Sequence, residues 1–219
     1  MAVKLTIDGM PVEVPEGTTI LNAARMHGIT VPTLCYHKDL SPTGNCRICV
    51  VEVAKARFLQ AACVTQVWEG MEVLTHSERT VNSRRKTLEL MLANHPQDCL
   101  VCDAAGSCEL QDLAYEYDVR VPEWGFKGTR YVKDSDPNPF IQVDRNKCIL
   151  CRRCVRACNV INGVEAISVV YRGFDAHIAF GADQGMQDSP CEFCGSCVSV
   201  CPTAALMPKE AIGKGRTWE

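Results

Sequence analysis

The spacing of its fifteen cysteines constrains this chain of 219 residues more than any other feature of the sequence. Two runs near the C-terminal end follow the pattern C-x2-C-x2-C-x3-C, and they begin about 43 residues apart as an internal repeat. In such runs the three close cysteines bind one [4Fe–4S] cluster and the fourth binds the neighbouring cluster. This crossing predicts two ligand sets: Cys148, Cys151, Cys154 and Cys201, and Cys158, Cys191, Cys194 and Cys197.

The alternative interpretation of these runs is a pair of structural zinc sites. Zinc sites of that kind use paired C-x2-C knuckles rather than triple runs, so the spacing favours iron–sulfur clusters. The two runs differ after their last cysteine, where Asn159 follows the first run and Pro202 the second. This departure leaves the predicted ligands unchanged.

A further set of four cysteines lies near the N-terminus, with the spacing C-x10-C-x2-C-x13-C. Four thiolates suit either a [2Fe–2S] cluster or a zinc ion, and both remain open on spacing alone. Three of the cysteines lie in or beside a loop after a predicted helix, and the fourth lies in a predicted strand. That setting suits a β-grasp ferredoxin and favours [2Fe–2S]. The predicted ligands are Cys35, Cys46, Cys49 and Cys63.

The three remaining cysteines, in NHPQDCLVCDAAGSCE, are one ligand short of a set. His95 precedes them in the pattern H-x3-C-x2-C-x5-C, and imidazole replaces thiolate on some iron–sulfur clusters. A lone histidine beside a proline is ordinarily a surface residue, but here it completes a set and leaves no cysteine over. We therefore predict a fourth site formed by His95, Cys99, Cys102 and Cys108. The other histidines are predicted to be surface residues: His27, His37, His76 and His177.

Charge and composition exclude several functional classes. A net charge of −3 and a pI near 6.0 do not indicate a nucleic-acid-binding protein, and Arg84-Arg85-Lys86 is predicted to be a solvated helix face. Neither a secretory signal nor an apolar run of about 18 residues is visible, so we expect a cytoplasmic protein without a membrane span. Thiols stay reduced there, which favours metal binding over disulfides. The sequence also lacks a phosphate-binding loop, a nucleophile elbow and paired carboxylates, so we expect no substrate-converting site.

Hydrophobic periodicity predicts an α+β chain built from several small units. A hairpin is predicted in VKLTIDGMPVEV, a helix capped by Thr18 and ended by Gly28 follows, and RICVVEV, FLQAACVTQV and MEVLT are predicted strands. Residues 78–94 and CELQDLAYEYD are predicted helices. The predicted boundaries are a first domain at 1–78, a second at 79–120, a linker at 121–138, a third domain at 139–212 and a tail at 213–219.

Seven motifs in this order resemble a known family over nearly the whole chain: PTLCYH, GNCRICVVEV, AACV, HPQDCLVC, GSCELQ, NKCILCRRCVRAC and CEFCGSCVSVCPTAAL. The chain resembles the N-terminal iron–sulfur region of iron-only hydrogenases and of NAD-dependent formate dehydrogenases. It also resembles the small diaphorase subunit of bidirectional NAD(P)-linked nickel–iron hydrogenases. The 75-kDa-type subunit of respiratory complex I is a more distant relative. Such subunits generally lack one of the paired C-terminal clusters, which this chain keeps, so the resemblance disfavours complex I.

The resemblance implies one [2Fe–2S] and three [4Fe–4S] clusters, with His95 a ligand of one four-iron cluster. It implies a β-grasp [2Fe–2S] ferredoxin domain, a small helical [4Fe–4S] domain with one histidine and three cysteine ligands, and a bacterial-type 2[4Fe–4S] ferredoxin domain. The implied function is electron transfer within a multisubunit NAD(P)-linked oxidoreductase, foremost a hydrogenase. The implied partners are a flavin and NAD(P)-binding subunit, a thioredoxin-like [2Fe–2S] subunit and the catalytic subunit.

Several alternatives stay open at this stage. A chain that ends at residue 219 favours a separate diaphorase-type subunit, whereas a fragment suits a formate dehydrogenase equally well. A free multi-cluster electron carrier would migrate alone on gel filtration. A zinc-stabilised scaffold would lack the brown colour that dithionite bleaches.

Overall fold

The structure is a computed structural model that describes residues 1–126 and 128–214, so the predicted tail lies outside it from residue 215 onward. The strands of this part are β1 Ala2–Ile7, β2 Met10–Pro15, β3 Val50–Val53, β4 Gln60–Ala61, β5 Met71–Leu74, β6 Ile141–Val143, β7 Ile167–Val170, β8 His177–Phe180 and β9 Leu206–Pro208. The α-helices are α1 Ile20–Met26, α2 Glu78–Ala93, α3 Glu109–Glu116, α4 Arg153–Arg156 and α5 Ser196–Ser199. No helix in the described residues is long and apolar enough to cross a membrane.

The first domain is built on a five-stranded sheet with the strand order β2-β1-β5-β3-β4. The predicted hairpin is confirmed: β1 and β2 pair antiparallel, and Asp8 and Gly9 form the turn with φ angles of 50° and 80°. β5 then pairs parallel to β1, with Leu5 opposite Met71. Alternate side chains of the hairpin enter a core that includes the buried face of α1, as expected for a sheet with one covered face.

Helix α1 begins one residue later than predicted. Thr19, not Thr18, is the N-cap, and its hydroxyl accepts a hydrogen bond of 3.3 Å from the amide of Asn22. The Thr18 hydroxyl instead donates to the carbonyl of Pro15 at 2.6 Å. Gly28 follows the helix with a φ of 72°, the left-handed conformation that glycine adopts freely, as predicted for a terminator.

The charged run of α2 is not uniformly solvated, which corrects the prediction. Arg84 is fully buried, whereas Arg85 and Lys86 are exposed. The Arg84 guanidinium donates to the carbonyls of Ile48 (3.1 Å) and Val50 (2.8 Å), and to the hydroxyl of Tyr117 (2.8 Å). A buried cation is stable only when its donors are paired in this way. Arg84 therefore connects α2 to the loop before β3 and to the end of α3.

The third domain contains the internal repeat. β6 pairs with β9, with Val143 opposite Leu206, and β7 pairs with β8. Each cysteine run leads into a short helix that contains the third cysteine of the run, Cys154 in α4 and Cys197 in α5. The predicted repeat is thus confirmed at the level of local structure.

The segment 121–138, predicted to be a linker, has no helix or strand in its described residues. Its second half nevertheless packs on the third domain. The Asp136 carboxylate accepts from the amide of Met186 at 2.8 Å. The Lys209 ammonium lies 3.1 Å from the Asp134 carboxylate and donates to the Asn138 carbonyl at 2.6 Å. Contacts with the third domain therefore fix the position of this half of the segment.

The prediction for His177 is also wrong, because this residue is buried rather than at the surface. Its ring lies against Tyr131 and Tyr171, with centroid distances of 5.5 Å to each, and its Nε2 is 3.1 Å from the Asp183 carboxylate. These contacts make His177 part of the packing of β8 and do not involve any predicted ligand.

Candidate iron–sulfur centres

The first predicted ligand set is brought together in the first domain, where hydrogen bonds link the four thiols. All four cysteines are buried. The amide of Cys35 donates to the sulfur of Cys46 and the amide of Cys46 donates to the sulfur of Cys35, both at 3.4 Å. Cys49 lies in the turn before β3. Cys63 was expected in a strand but lies in the turn after β4, because only Gln60 and Ala61 of the predicted segment pair with β3.

Shared hydrogen bonds between these thiols set their acidity. A bond from Cys46 lowers the pKa of Cys35 to about 2, and a bond from Cys63 lowers the pKa of Cys49 to about 7. The same hydrogen bonds, together with burial, raise the pKa of Cys46 and of Cys63. Two of the four sulfurs thus hold negative charge readily, and the thiolate is the form that binds metal.

The two C-terminal runs share an unusual backbone geometry. In each run the residue before the second cysteine and the residue after it adopt positive φ angles. These are 53° and 60° for Leu150 and Arg152, and 53° and 77° for Phe193 and Gly195. Left-handed residues next to helical ones turn successive amides into a concave surface that favours anions, as at many iron–sulfur sites. The amide of Leu150 already donates to the sulfur of Cys148 at 3.4 Å.

Each of the two crossed ligand sets lines a cavity of its own. One cavity is lined by the first three cysteines of the first run together with Cys201, the last cysteine of the second run. The other is lined by the first three cysteines of the second run together with Cys158, the last cysteine of the first run. Burial is the largest cause of the raised pKa of Cys148 and Cys197, about 12 in each case. The donor chemistry and the enclosed space both fit two anionic clusters.

The second domain places His95 in an environment that suits a ligand. The ring is buried and its Nδ1 has no hydrogen-bond partner, an arrangement that is costly for a side chain with no further role. Burial, and then the charge of Lys147, lower the pKa of His95 to about 4. The imidazole is therefore neutral at pH 7, which is the state that binds metals. The orphaned nitrogen fits the predicted cluster.

The three cysteines of this site lie in or beside a short 3-10 turn and at the N-terminus of α3. Cys99 opens a 3-10 turn that ends before Cys102, and Cys108 is the N-cap of α3. Lys147, from the third domain, donates to the sulfur of Cys102 at 3.2 Å. Burial, followed by the charges of Cys102 and Asp98, raises the pKa of Cys99, and burial also raises the pKa of Cys108. Across the described residues, no three His, Cys, Asp or Glu side chains are arranged to hold a single metal ion.

One continuous apolar cluster joins three of the four sites, and Cys158 and Cys197 of the fourth lie in a second cluster with Cys154. The first cluster includes cysteines of three different ligand sets, Cys35, Cys108 and Cys151, packed with Leu34, Leu88 and Ala204 among others. Polar contacts fix the same junction. Arg156 donates to the carbonyls of Cys35 and Ser41, and the Asn45 side chain donates to the Leu150 carbonyl at 2.8 Å.

The second domain is attached to the third by an ion pair between buried Arg153 and the partly exposed carboxylate of Glu109. Both terminal nitrogens of Arg153 contact the Glu109 carboxylate, at 2.5 and 2.7 Å. The amide of Glu109 donates to the Pro202 carbonyl at 3.1 Å, and the Cys108 thiol lies 3.6 Å from the same oxygen. Sequence reasoning did not identify Arg153, Glu109 or Lys147, because isolated charged residues give no periodic or spacing signal.

Three protein-family models match successive parts of the chain. Residues 1–78 match the 2Fe-2S iron-sulfur cluster binding domain. Residues 84–123 match the NADH-ubiquinone oxidoreductase-G iron-sulfur binding region, and residues 138–207 match the ferredoxin-like domain of NADH-quinone oxidoreductase subunit 3.

A chain of the solved NAD+-reducing [NiFe]-hydrogenase in the H2-reduced state has the same fold. The TM-score is 0.88 at 30% sequence identity, and the match covers 99% of this chain and 90% of that chain. The chain belongs to the diaphorase and complex I 75-kDa type of iron–sulfur subunit. It carries [2Fe–2S] and [4Fe–4S] domains and is an electron-transfer component related to oxidoreductase subunits.

The chain is also similar to part of several longer curated proteins. The NADPH-Fe(3+) oxidoreductase subunit alpha of Geobacter sulfurreducens is 46% identical over 99% of this chain, and the NADP-reducing hydrogenase subunit HndD of Solidesulfovibrio fructosivorans is 45% identical over 95%. The mitochondrial NADH-ubiquinone oxidoreductase 78 kDa subunit of Neurospora crassa is 39% identical over 99% of this chain. The chain spans 25%, 36% and 29% of their lengths. Identity alone therefore does not set hydrogenase relatives apart from other NAD(P)-linked oxidoreductases.

Proposed function

We propose that this subunit carries one [2Fe–2S] and three [4Fe–4S] clusters and relays single electrons within a multisubunit NAD(P)-linked hydrogenase. The observation that carries the proposal is the arrangement of the ligand sets around two apolar clusters: members of three sets lie in one, and the fourth set meets Cys154 of its neighbour in the other. The proposed ligands are Cys35, Cys46, Cys49 and Cys63 for the two-iron cluster, His95, Cys99, Cys102 and Cys108 for the first four-iron cluster, and the two crossed sets of the third domain.

The proposed domains follow the ligand sets. A β-grasp [2Fe–2S] domain spans 1–78, a small helical [4Fe–4S] domain with the histidine ligand spans 79–120, and a bacterial-type 2[4Fe–4S] domain spans 139–212. The five-stranded mixed sheet with α1 supports the first assignment. The matched cavities and the repeated left-handed residues support the third.

The chain itself contributes position and electronic surroundings. When bound, each cluster supplies a site that takes up and releases one electron at a time. Arg156 and Asn45 hold the loop of the first set against the first cysteine run, and the Glu109–Arg153 pair holds the second set against both runs. Such fixed spacing between ligand sets is what an electron relay requires of its protein, because the cofactors perform the chemistry.

The proposed partners are those of a hydrogenase of this type. They are a flavin and NAD(P)-binding subunit, a thioredoxin-like [2Fe–2S] subunit and a hydrogenase catalytic subunit. The support is the near-complete structural match to a chain of an NAD+-reducing hydrogenase and the 45% identity to a subunit of an NADP-reducing hydrogenase. We place the assembly in the cytoplasm.

The purified chain, replete with iron, should neither oxidise hydrogen nor reduce NAD(P), because it holds relay sites only. It should accept electrons from dithionite, with bleaching of its visible absorbance. The native assembly that contains it should catalyse hydrogen-dependent reduction of NAD(P). Hydrogen turnover by the chain alone, or a native assembly inactive with hydrogen, would refute the hydrogenase relay.

A second candidate is favoured by the 46% identity to the NADPH-Fe(3+) oxidoreductase subunit of Geobacter sulfurreducens. In that case the chain would relay electrons from NADPH toward ferric iron. The same native assembly distinguishes the two, because this candidate requires NADPH-dependent reduction of ferric citrate and no response to hydrogen.

A further inference from the structure

Lys147 is a buried lysine located between two of the proposed ligand sets. Its side chain is only 5% exposed. The ammonium donates to the sulfur of Cys102 at 3.2 Å and lies 3.2 Å from the carboxylate of Asp98. Among the hydrogen bonds of the described residues, this is the one in which a charged side chain contacts a proposed ligand sulfur. Placing an ammonium in a protein interior is unfavourable unless such acceptors are present.

The backbone of Lys147 is fixed from both sides. Its amide donates to the carbonyl of Asp144 at 3.1 Å, and its carbonyl accepts from the hydroxyl of Thr203 at 2.8 Å. Lys147 also immediately precedes Cys148, a proposed ligand of a different cluster. The side chain therefore extends from a rigid point in the third domain to the ligand set of the second domain.

The charge of Lys147 is only partly offset by its neighbour. Asp98 has a side chain that is 41% exposed, so water screens its charge, whereas the ammonium is enclosed. The enclosed ammonium therefore contributes a positive charge directly at the sulfur of Cys102, in a site on which the buried Asp144 carboxylate also acts. Reduction adds a negative charge to a cluster, and both hydrogen bonds to ligand sulfur and nearby positive charge stabilise the reduced state.

We propose that Lys147 is a positioning residue that raises the reduction potential of the cluster held by His95, Cys99, Cys102 and Cys108. This inference rests on the proposed function, which supplies that ligand set. Lys147 acts through the sulfur of Cys102 and through its charge, and it is not a ligand.

The test compares three variants by redox titration monitored by electron paramagnetic resonance, in the iron-replete native assembly. In Lys147→Met the midpoint potential of the signal that depends on His95 should shift downward, while iron content stays at the wild-type value. Lys147→Arg keeps the positive charge and an N–H donor, so its midpoint potential should stay close to the wild-type value. The control is Lys209→Met, since Lys209 contacts carboxylate and carbonyl oxygens but no cysteine; it should leave this potential unchanged.

An unchanged midpoint in iron-replete Lys147→Met would overturn the proposal. If Lys147→Met loses iron, the midpoint potential of Lys147→Gln is measured instead, because glutamine keeps an N–H donor but carries no charge. A downward shift in Lys147→Gln supports the proposal and an unchanged midpoint overturns it. Absence of any His95-dependent signal in the wild-type assembly would instead refute the proposed function, so the two failures are distinguishable.

Discussion

Replacement of His95 by alanine is expected to remove one four-iron cluster or degrade it to a three-iron form. Iron content should fall from about 14 atoms per chain toward about 10, or to about 13 for the three-iron form. The reason is structural: the ring is buried, its Nδ1 has no partner, and the nearby cysteines are one ligand short of four. The [2Fe–2S] signal should be unaffected, because the four cysteines proposed to bind that cluster belong to the part of the chain built on the five-stranded sheet.

The matched variant His95→Cys should keep the iron. A thiolate in place of neutral imidazole makes the cluster more negative, so one midpoint potential should decrease. His27→Ala is the control, because the Nδ1 of His27 is already hydrogen-bonded to the Ala23 carbonyl at 3.0 Å. Iron analysis and electron paramagnetic resonance provide the readouts. Full iron with unchanged signals in His95→Ala would mean that His95 is not a ligand.

The second large effect concerns the crossed ligands of the third domain. Cys201→Ala should damage the cluster of the first run, because Cys201 lines the cavity formed by the first three cysteines of that run. Its lost signal should therefore match that of Cys148→Ala. It should differ from that of Cys194→Ala, although Cys194 belongs to the same run as Cys201. The expected loss is about one to four iron atoms, as a three-iron form or complete loss.

Cys158→Ala is the reciprocal variant, since Cys158 lines the other cavity. Its spectrum should match that of Cys194→Ala. If Cys201→Ala and Cys194→Ala instead lose the same signal, each run binds its own cluster and the crossed assignment is wrong.

The local parts of this fold were predictable because they depend on short-range chemistry. The turn at Asp8 and Gly9 needs residues that tolerate positive φ, and the end of α2 precedes a proline that disfavours helix. Each cysteine run carries its pattern within eleven residues, so the runs could be recognised from spacing, whereas the crossed ligand sets stay a prediction. Thr18 was mistaken for the N-cap because two adjacent threonines are equivalent in sequence, and only the backbone distinguishes them.

The long-range contacts were not predictable from the sequence. Arg84 looks like part of a solvated charge run, yet it is buried by carbonyls that lie 34 and 36 residues earlier in the chain. Lys147 is likewise buried by groups 45 or more residues away. Neither position has a local signature, because burial of a cation depends on which acceptors tertiary packing supplies.

The measurement that tests the central claim most directly is the content of iron, acid-labile sulfide and zinc in the anaerobically purified chain, combined with Mössbauer spectroscopy. The account predicts about 14 iron and about 14 sulfide atoms per chain, with one two-iron and three four-iron components and no stoichiometric zinc. A chain that contained zinc without labile sulfide, or an iron-replete chain that showed fewer than three four-iron components, would contradict it.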